Sequence, residues 1–271
     1  MKSNYRYIVK AFMAMAVIAG TTSCDDFLDR EPMSSISPET YYSTAAQLEA
    51  NLNDEYPNVL PSFGQWTYGI FGEDKGTDNQ IEVNANDRYT QDRWKVPHSE
   101  SDNWKFERIY RINFFLSEAL PKFGEDMSGS QNTISGSVAT IKHYIGEMYF
   151  LRAYEYFKKL QLFGDFPIIN QPLADEMEAL REASKRFPRN EVARFIISDL
   201  DKAYAYMSDV DMATTRINKD VAMLVKSRVA LFEATWLQNF KGTAFVPGGE
   251  GWPGVSLHNN YQYPSGNIDN E

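Results

Sequence analysis

The sequence is poor in cysteine, histidine and positive charge. Cys24 is the only cysteine, so the chain forms no internal disulfide and its fold depends on packing. The three histidines, His98, His143 and His258, stand apart and include no H-E-x-x-H zinc motif. Lysine and arginine together number 27 against 37 acidic residues, which gives a formal net charge of −10. This balance argues against a nucleic-acid partner, because a polyanion needs a cationic surface.

Sequence motifs for catalysis are also missing. There is no G-x-S-x-G nucleophile elbow, and the glycine-rich stretch 248–254 lacks the lysine of a phosphate-binding loop. Acid pairs for glycoside hydrolysis can be chosen almost anywhere among 37 carboxylates, so none stands out. The acidic residues at 73–79 do not have the spacing of an EF-hand, although calcium stays open there as the less favoured alternative. We therefore predict no catalytic residue, no metal and no cofactor.

Residues 1–23 have the composition of an export signal. Lys2, Arg6 and Lys10 come first, and the ten apolar-rich residues 11–20 follow. This stretch is too short to span a bilayer, which takes roughly 20 residues, but it suits the apolar centre of a signal peptide. Because Cys24 follows, the segment resembles a bacterial lipoprotein signal, in which the thiol is acylated. We predict a signal peptide at 1–23 and a mature chain, 24–271, anchored by lipid on Cys24. The alternative is an ordinary secretory signal with an incidental cysteine.

Apolar residues at helical spacing predict five helices in the mature chain. The first begins at a capping box, with Thr44 as the cap and Gln47 three residues later, and ends near Tyr56, before Pro57. The last begins after Asn218 as its cap. The four later helices are predicted at 102–121, 134–162, 190–207 and 219–239. They form two antiparallel pairs, so we expect a mainly α fold of stacked, tetratricopeptide-like helix pairs with long irregular loops.

Two aromatic-rich segments lack this periodicity. Residues 57–101 include four glycines, and a long irregular stretch in a compact domain is usually functional or disordered. Its aromatic content argues against disorder. The segment 242–271 is rich in glycine, proline and aromatic residues and ends without completing an element. We therefore expect the natural protein to continue beyond it.

Four stretches resemble the N-terminal half of the SusD/RagB-type nutrient-binding lipoproteins of the Bacteroidetes. The most specific is IGEMYFLRAYEYFKKLQLFGDFPII at 145–169, which is close to the family's GEA-x-FLRA-x-x-YF…LFGD-x-P-L segment. WKFERIYRIN at 104–113 resembles the family's W-x3-IY-x-I-x-x-N helix with small shifts. The acidic stretch 24–32 and the segment 196–231 complete the resemblance. Met148 and Lys226 depart from the residues usual in the family.

The resemblance implies a SusD-like α-superhelix on the outer face of the outer membrane, held there by its lipid. Such proteins are not enzymes. They cap a SusC-like TonB-dependent transporter, capture oligosaccharides, or in some members peptides, and help to deliver them. Because members of the family are typically much longer than this chain, the resemblance also implies a C-terminal half beyond residue 271.

Aromatic residues in the irregular segments are the predicted ligand contacts. Sugar rings stack on exposed aromatic faces, while amides, carboxylates and arginine bind the hydroxyls. Trp104 and Trp236 lie on predicted helical faces and are assigned to the core. The predicted ligand contacts are Trp66, Tyr68, Asp74, Asp78, Asn79, Arg88, Tyr89, Trp94 and Trp252.

The leading interpretation is a non-catalytic, surface-anchored protein that binds oligosaccharides and passes them to the transporter. Peptide capture for the same kind of transporter is the alternative within the family. Outside the family, the chain would be a helical-repeat scaffold that binds only proteins, or a lipid-anchored glycosidase. The loop tryptophans would be dispensable in the scaffold, and the glycosidase would turn over an oligosaccharide.

Overall fold

The computed structural model describes residues 41–61, 80, 103–124, 126–207, 212 and 215–271. Within these ranges it contains no strand, and isolated bridges join Thr44 to Ser135 and Phe166 to Phe187. The mainly α class is therefore confirmed. The helices are α1 (Ala45–Val59), α2 (Glu107–Phe123), α3 (Val138–Phe163), α4 (Met177–Ala183), α5 (Arg189–Tyr206) and α6 (Lys219–Asn239), followed by a 3-10 turn at Pro253–Ser256.

The helix caps expected from the sequence are present. The Thr44 hydroxyl accepts a hydrogen bond from the Gln47 amide at 3.3 Å, and the Gln47 side chain accepts one from the Thr44 amide at 3.1 Å. The Asn218 side chain accepts a hydrogen bond from the Val221 amide at 3.0 Å. Gly164 ends α3 with a φ of +66°, a conformation that favours glycine.

Two prolines that were predicted to end helices lie inside them. Pro57 is within α1, which continues to Val59, and Pro121 is within α2. Both occupy the last turn, where the missing N–H removes only one intrahelical hydrogen bond. In α1 the Asn58 side chain donates to the Asp54 carbonyl at 2.8 Å and satisfies one of the carbonyls in that turn. The carbonyl that loses its donor at Pro57 is that of Asn53, so the helix tolerates the proline because of its place in the last turn.

The long helix α3 lies at the centre of the packing. It contacts α1, α2 and α5 and makes a smaller contact with α6, and its contact with α5 is the most extensive. Side chains on all of its sides are buried, including Ile141, Ile145 and Tyr156. The helix is therefore buried over most of its circumference. The predicted partners α2–α3 and α5–α6 do pack together, and the contact of α3 with α5 joins the two pairs.

Gly146 is where α3 and α5 approach each other closely. A Cβ atom built on Gly146 would lie 2.8 Å from the Met207 amide nitrogen and 2.9 Å from the Ala203 carbonyl oxygen. Both are backbone atoms, so no side-chain rotation could make room. This glycine therefore sets the distance between the two helices.

Two further expectations are corrected by the structure. The predicted start of the second helix at 102 is wrong, because α2 begins at Glu107 and Trp104 precedes it. Trp104 is half-buried and packs edge-on against Phe163 and Phe166. The segment 165–188, expected to be irregular, includes the short α4, which buries none of its residues. Packing among the rings of Trp104, Phe163 and Phe166, more than helical periodicity, stabilises the segments before α2 and after α3.

One face of α6 is left open in the described part of the chain. The helix buries Ala222, Val229, Glu233 and Leu237, while Leu224 and other apolar residues on its opposite face are exposed.

None of the described helices is both long enough and apolar enough to cross a membrane.

Candidate ligand groove and buried charge networks

Most of the predicted site lies outside the described residues. This holds for Cys24 and for eight of the nine predicted ligand contacts, namely Trp66, Tyr68, Asp74, Asp78, Asn79, Arg88, Tyr89 and Trp94. The ninth, Trp252, is described, and it lines a concavity of about 650 Å³ at the C-terminal end of α3. We call this concavity the α3-end groove. Its lining comes from residues 161–165, from 184–189 around the start of α5, from Trp236 of α6, and from the 244–257 loop.

Asp165 joins two of these segments. One carboxylate oxygen accepts a hydrogen bond from the Arg189 amide at 2.9 Å, and the other accepts one from the Trp252 indole N–H at 2.8 Å. Burial raises the pKa of Asp165 above its usual value, and these two hydrogen bonds offset part of that increase. Trp252 is only 4% exposed and its indole N–H is already used. The tryptophan shapes the groove wall, and its contact with a ligand stays a prediction.

Arg189 ties α5 to α6 beside the groove. Its guanidinium binds both Glu233 oxygens, with distances of 2.9 and 2.8 Å. It also lies 4.0 Å from the ring centroid of Trp236. Burial raises the pKa of Glu233, and the neighbouring Arg189 opposes the increase. The sequence assigns Trp236 to the core. In the structure it is half-buried and lines the groove, and Arg189 covers its ring.

Several groups in the groove are exposed and uncommitted. Phe245 is 62% exposed, and Leu162 and Leu257 are exposed beside it. Gln161 and Arg186 also line the groove, and neither side chain forms a hydrogen bond or ion pair with the described residues. Sugar-binding sites combine apolar surface of this kind with a few polar groups that fix the orientation of the ligand. The α3-end groove is therefore the candidate ligand site in the described part of the chain.

A family model described as starch-binding and associating with the outer membrane matches residues 26–231. The chain belongs to the SusD-like family. Sequence relatives carry the same family name. SusD-like protein P2 of Formosa agariphila is 24% identical over 269 residues, an alignment that covers 95% of this chain and 49% of the relative. SusD-like protein P25 of the same organism is 25% identical over 233 residues, or 79% of this chain and 41% of the relative.

This SusD-like chain therefore spans about half the length, or less, of these curated relatives. Among solved structures, a SusD-like carbohydrate-binding protein from Bacteroides fragilis matches with a TM-score of 0.49 and 18% identity, over 73% of this chain and 39% of that one. A laminarin-binding SusD-like protein matches with a TM-score of 0.38 and 21% identity, over 49% of this chain and 26% of that one.

The most family-like stretch of this SusD-like chain forms buried polar networks. Arg152, in the FLRA sequence, binds both Asp199 oxygens at 2.6 and 2.8 Å and the Asn113 side chain at 2.9 Å. It also donates to the Asn170 carbonyl at 3.1 Å. These bonds join α3 to α2, to α5 and to the segment after α3. The network is far inside the fold, so its arginine serves packing and not ligand contact.

A second buried network links α3 to α1 and to the residues before α6. Glu147 accepts hydrogen bonds from Arg216 at 2.8 and 2.6 Å and from the Tyr56 hydroxyl at 2.8 Å. His143 is 1% exposed, and its Nε2 lies 3.0 Å from the Ile217 carbonyl oxygen. This placement gives His143 a role in packing. Every charge in this network has a partner, as buried charges require.

The sequence pattern did not identify the groove residues Gln161, Leu162, Arg186 and Phe245. Leu162 sits in the LFGD sequence, where helical spacing gives no sign that it faces outward. Arg186 belongs to the basic pair Lys185–Arg186. In an acidic chain, this local positive charge was the one available signal that Arg186 could bind a ligand. Its position beside the 244–257 loop depends on long-range packing, which the local sequence does not show.

Proposed function

We propose that this protein is a non-catalytic glycan-binding protein of the outer membrane, which captures oligosaccharides and passes them to a SusC-like TonB-dependent transporter. The observation that carries the proposal is the match of residues 26–231 to a family described as starch-binding and associating with the outer membrane. The α3-end groove supports it, because exposed Phe245 suits a sugar ring and the side chains of Gln161 and Arg186, which have no hydrogen-bond partner among the described residues, suit its hydroxyls.

The proposed anchor is a lipid on Cys24, with the protein facing the cell exterior. The export signal before Cys24 and the acidic Asp25 and Asp26 after it support this proposal. Growth of cells with an alkyne fatty acid should label the protein, and Cys24→Ala should abolish the label. Protease added to intact cells should digest the wild-type protein if it faces outward. A labelled C24A variant, or full protection from protease, would contradict this part of the proposal.

The proposed mechanism is shallow stacking of a sugar ring on exposed aromatic side chains, with hydrogen bonds to its hydroxyls. Trp66 and Trp94 are the leading predicted contacts. A stacked aromatic residue typically contributes about 0.5–1.5 kcal/mol beyond area burial, so its loss should weaken binding roughly two- to tenfold or more. Such modest affinity would suit a protein that must release its ligand to a transporter.

The test is calorimetric titration of the full-length protein, purified in detergent, with plant, host and microbial polysaccharides and with a peptide digest. Trp66→Ala and Trp94→Ala are titrated beside Tyr110→Ala, which removes an exposed aromatic residue on α2 outside the groove. We expect heat with a glycan that is reduced in the tryptophan variants and kept in Y110A.

The other outcomes identify the alternatives. Binding of peptides alone would replace glycan capture by peptide capture. Absence of any binding would favour a scaffold that contacts only proteins. Breakdown of an oligosaccharide by the pure protein, abolished by one Asp or Glu substitution, would show a glycosidase and overturn the proposal.

A further inference from the structure

We infer that the α3-end groove binds an acidic sugar unit, with Arg186 holding the carboxylate of a uronic acid or a sulfate ester and Phe245 supporting the ring. The inference rests on the proposed glycan-binding function and adds the class of glycan. The argument uses the charge of the groove, the orientation of Arg186, and the apolar surface beside it.

The groove is lined by more cations than anions, although the chain as a whole is acidic. The chain has a formal net charge of −10, yet the charged residues that line the groove are the cations Lys185, Arg186 and Arg189 and the single anion Asp165. Each Asp165 oxygen already accepts one hydrogen bond, from the Arg189 amide or the Trp252 indole. Because Lys185 and Arg189 are paired with Glu182 and Glu233, Arg186 is the cation left to attract an anionic ligand.

Of the three cations, only Arg186 has no ion-pair partner among the described residues. Lys185 is paired with Glu182 at 2.5 Å, and Arg189 is buried in its bidentate contact with Glu233. Arg186 is exposed and forms no ion pair or side-chain hydrogen bond with the described residues. Its guanidinium carries five N–H donors, which match the oxygens of a carboxylate or sulfate in a bidentate geometry.

Trp104 holds Arg186 in place. The guanidinium carbon of Arg186 lies 4.6 Å from the centroid of the Trp104 ring, and Trp104 is itself packed edge-on against Phe163 and Phe166. This contact covers one face of the guanidinium and leaves its N–H edges available. Because the arginine is already oriented, binding costs less side-chain entropy than it would for a mobile residue.

The rest of the groove fits the body of a sugar. Phe245, Leu162 and Leu257 are 62%, 56% and 51% exposed and give an apolar surface on which the C–H face of a ring can rest. The Gln161 amide, free of other described partners, is available for a hydroxyl. The volume of about 650 Å³ accommodates a short oligosaccharide and lies within the usual range of ligand sites.

The experiment titrates the full-length protein with three oligosaccharides of matched length, namely an oligogalacturonate, a sulfated carrageenan fragment and neutral laminarin. Arg186→Gln removes the positive charge. Because residue 186 is exposed, we expect the substitution to leave the fold intact. Phe245→Ala removes the ring support. Arg181→Gln is the control, because it makes the same change at an exposed arginine of α4 outside the groove.

We expect R186Q to weaken binding of an acidic oligosaccharide by roughly ten- to a hundredfold, as the loss of a hydrogen-bonded charge predicts. F245A should weaken it less, and R181Q should leave it unchanged. In the wild type, affinity for the acidic ligand should fall as salt rises, and this dependence should be smaller in R186Q. R186Q should bind laminarin as the wild type does. Arg186→Lys keeps the charge but loses the bidentate donor geometry of the guanidinium. Its affinity for the acidic oligosaccharide should therefore lie between those of the wild type and R186Q.

Each outcome bears on a different claim. Dependence on Arg186 with the galacturonate identifies a carboxylate, and dependence with the carrageenan fragment identifies a sulfate; either supports the inference. Equal binding of acidic glycans by R186Q and wild type, or a preference for laminarin that no groove variant alters, overturns it and leaves glycan capture standing. Failure of every glycan to bind overturns both the inference and the proposed function.

Discussion

Arg152 and Arg186 show how differently two regions of this chain use the same side chain. In the centre of α3, Arg152 is held by Asp199, Asn113 and a backbone carbonyl, and it is almost fully buried. In the α3-end groove, Arg186 is exposed and rests on Trp104, and its N–H groups form no hydrogen bond or ion pair within the described part of the chain. A buried charge with all its partners maintains packing, whereas an exposed charge without partners keeps its capacity to bind something else.

The comparison predicts that stability and ligand binding are carried by separate residues in this fold. Substitutions in the α3 centre should lower the free energy of unfolding and leave the affinity of the folded protein alone. Substitutions in the groove should do the reverse. The variants below are ordered by expected effect, because the largest effects test most strongly whether stability and ligand binding depend on different residues.

Loss of Asp199 should have the largest effect. Asp199→Asn leaves Arg152 buried without a counter-charge, which typically costs about 3–5 kcal/mol. Urea unfolding should show this as a large drop in the midpoint. Asp201→Asn is the control on the same helix, because Asp201 is exposed and pairs only with Lys226 at the surface. The control should change stability by less than about 1 kcal/mol. Similar losses in the two variants would show that the Arg152 network has no special role.

The approach of α3 to α5 gives the second effect. In Gly146→Ala, the added methyl group would collide with the backbone of Met207 and Ala203, and the helices would have to separate. Overpacking of this kind typically costs about 1–3 kcal/mol. The midpoint of thermal unfolding should fall, although alanine is the better helix former. An unchanged or raised midpoint would mean that the two helices are not held at the observed distance.

The hydrogen bond from Trp252 to Asp165 sharpens the comparison, because it is a structural bond inside the groove. Trp252→Phe removes the indole N–H and leaves one Asp165 oxygen without its donor, at a cost of about 1 kcal/mol. We expect faster amide hydrogen exchange in the 244–257 loop and little change in the centre of α3. Unchanged exchange in the loop would show that this bond does not hold the groove wall.

The smallest effect is local and depends on pH. Burial raises the pKa of Glu271, but hydrogen bonds from Arg194, Asn190 and Ser265 outweigh it and lower the pKa to about 2. The stabilisation from Glu271 is therefore fully present above its unfolded value of 4.5 and is lost as the pH falls towards 2. In the wild type, the protection of the amide hydrogens of residues 261–271, relative to their intrinsic exchange rates at each pH, should fall across this window. Glu271→Gln should flatten the pH dependence, and identical profiles would contradict the assignment.

Local sequence was sufficient for much of the helical framework. The caps at Thr44 and Asn218 depend on neighbouring residues, and both were predicted. Pro57 misled the prediction, because a proline in the last turn removes one intrahelical hydrogen bond without ending the helix.

The site was harder to predict than the fold, because its partners are distant in sequence. Arg189 and Glu233 are 44 residues apart, and Trp252 and Asp165 are 87 apart. The aromatic character of the 244–257 loop did single out Trp252, but not that its N–H would be used internally. Trp236 was assigned to the core because helical spacing does not reveal that an arginine would cover its ring.

The most direct test measures glycan affinity and the urea unfolding midpoint on the same preparations of wild type, Asp199→Asn and Arg186→Gln. The account predicts that D199N loses stability and binds an acidic oligosaccharide with unchanged affinity when folded. It predicts that R186Q unfolds like the wild type and binds that oligosaccharide at least about tenfold more weakly. Equal loss of stability and affinity in both variants would contradict the separation of packing from ligand binding.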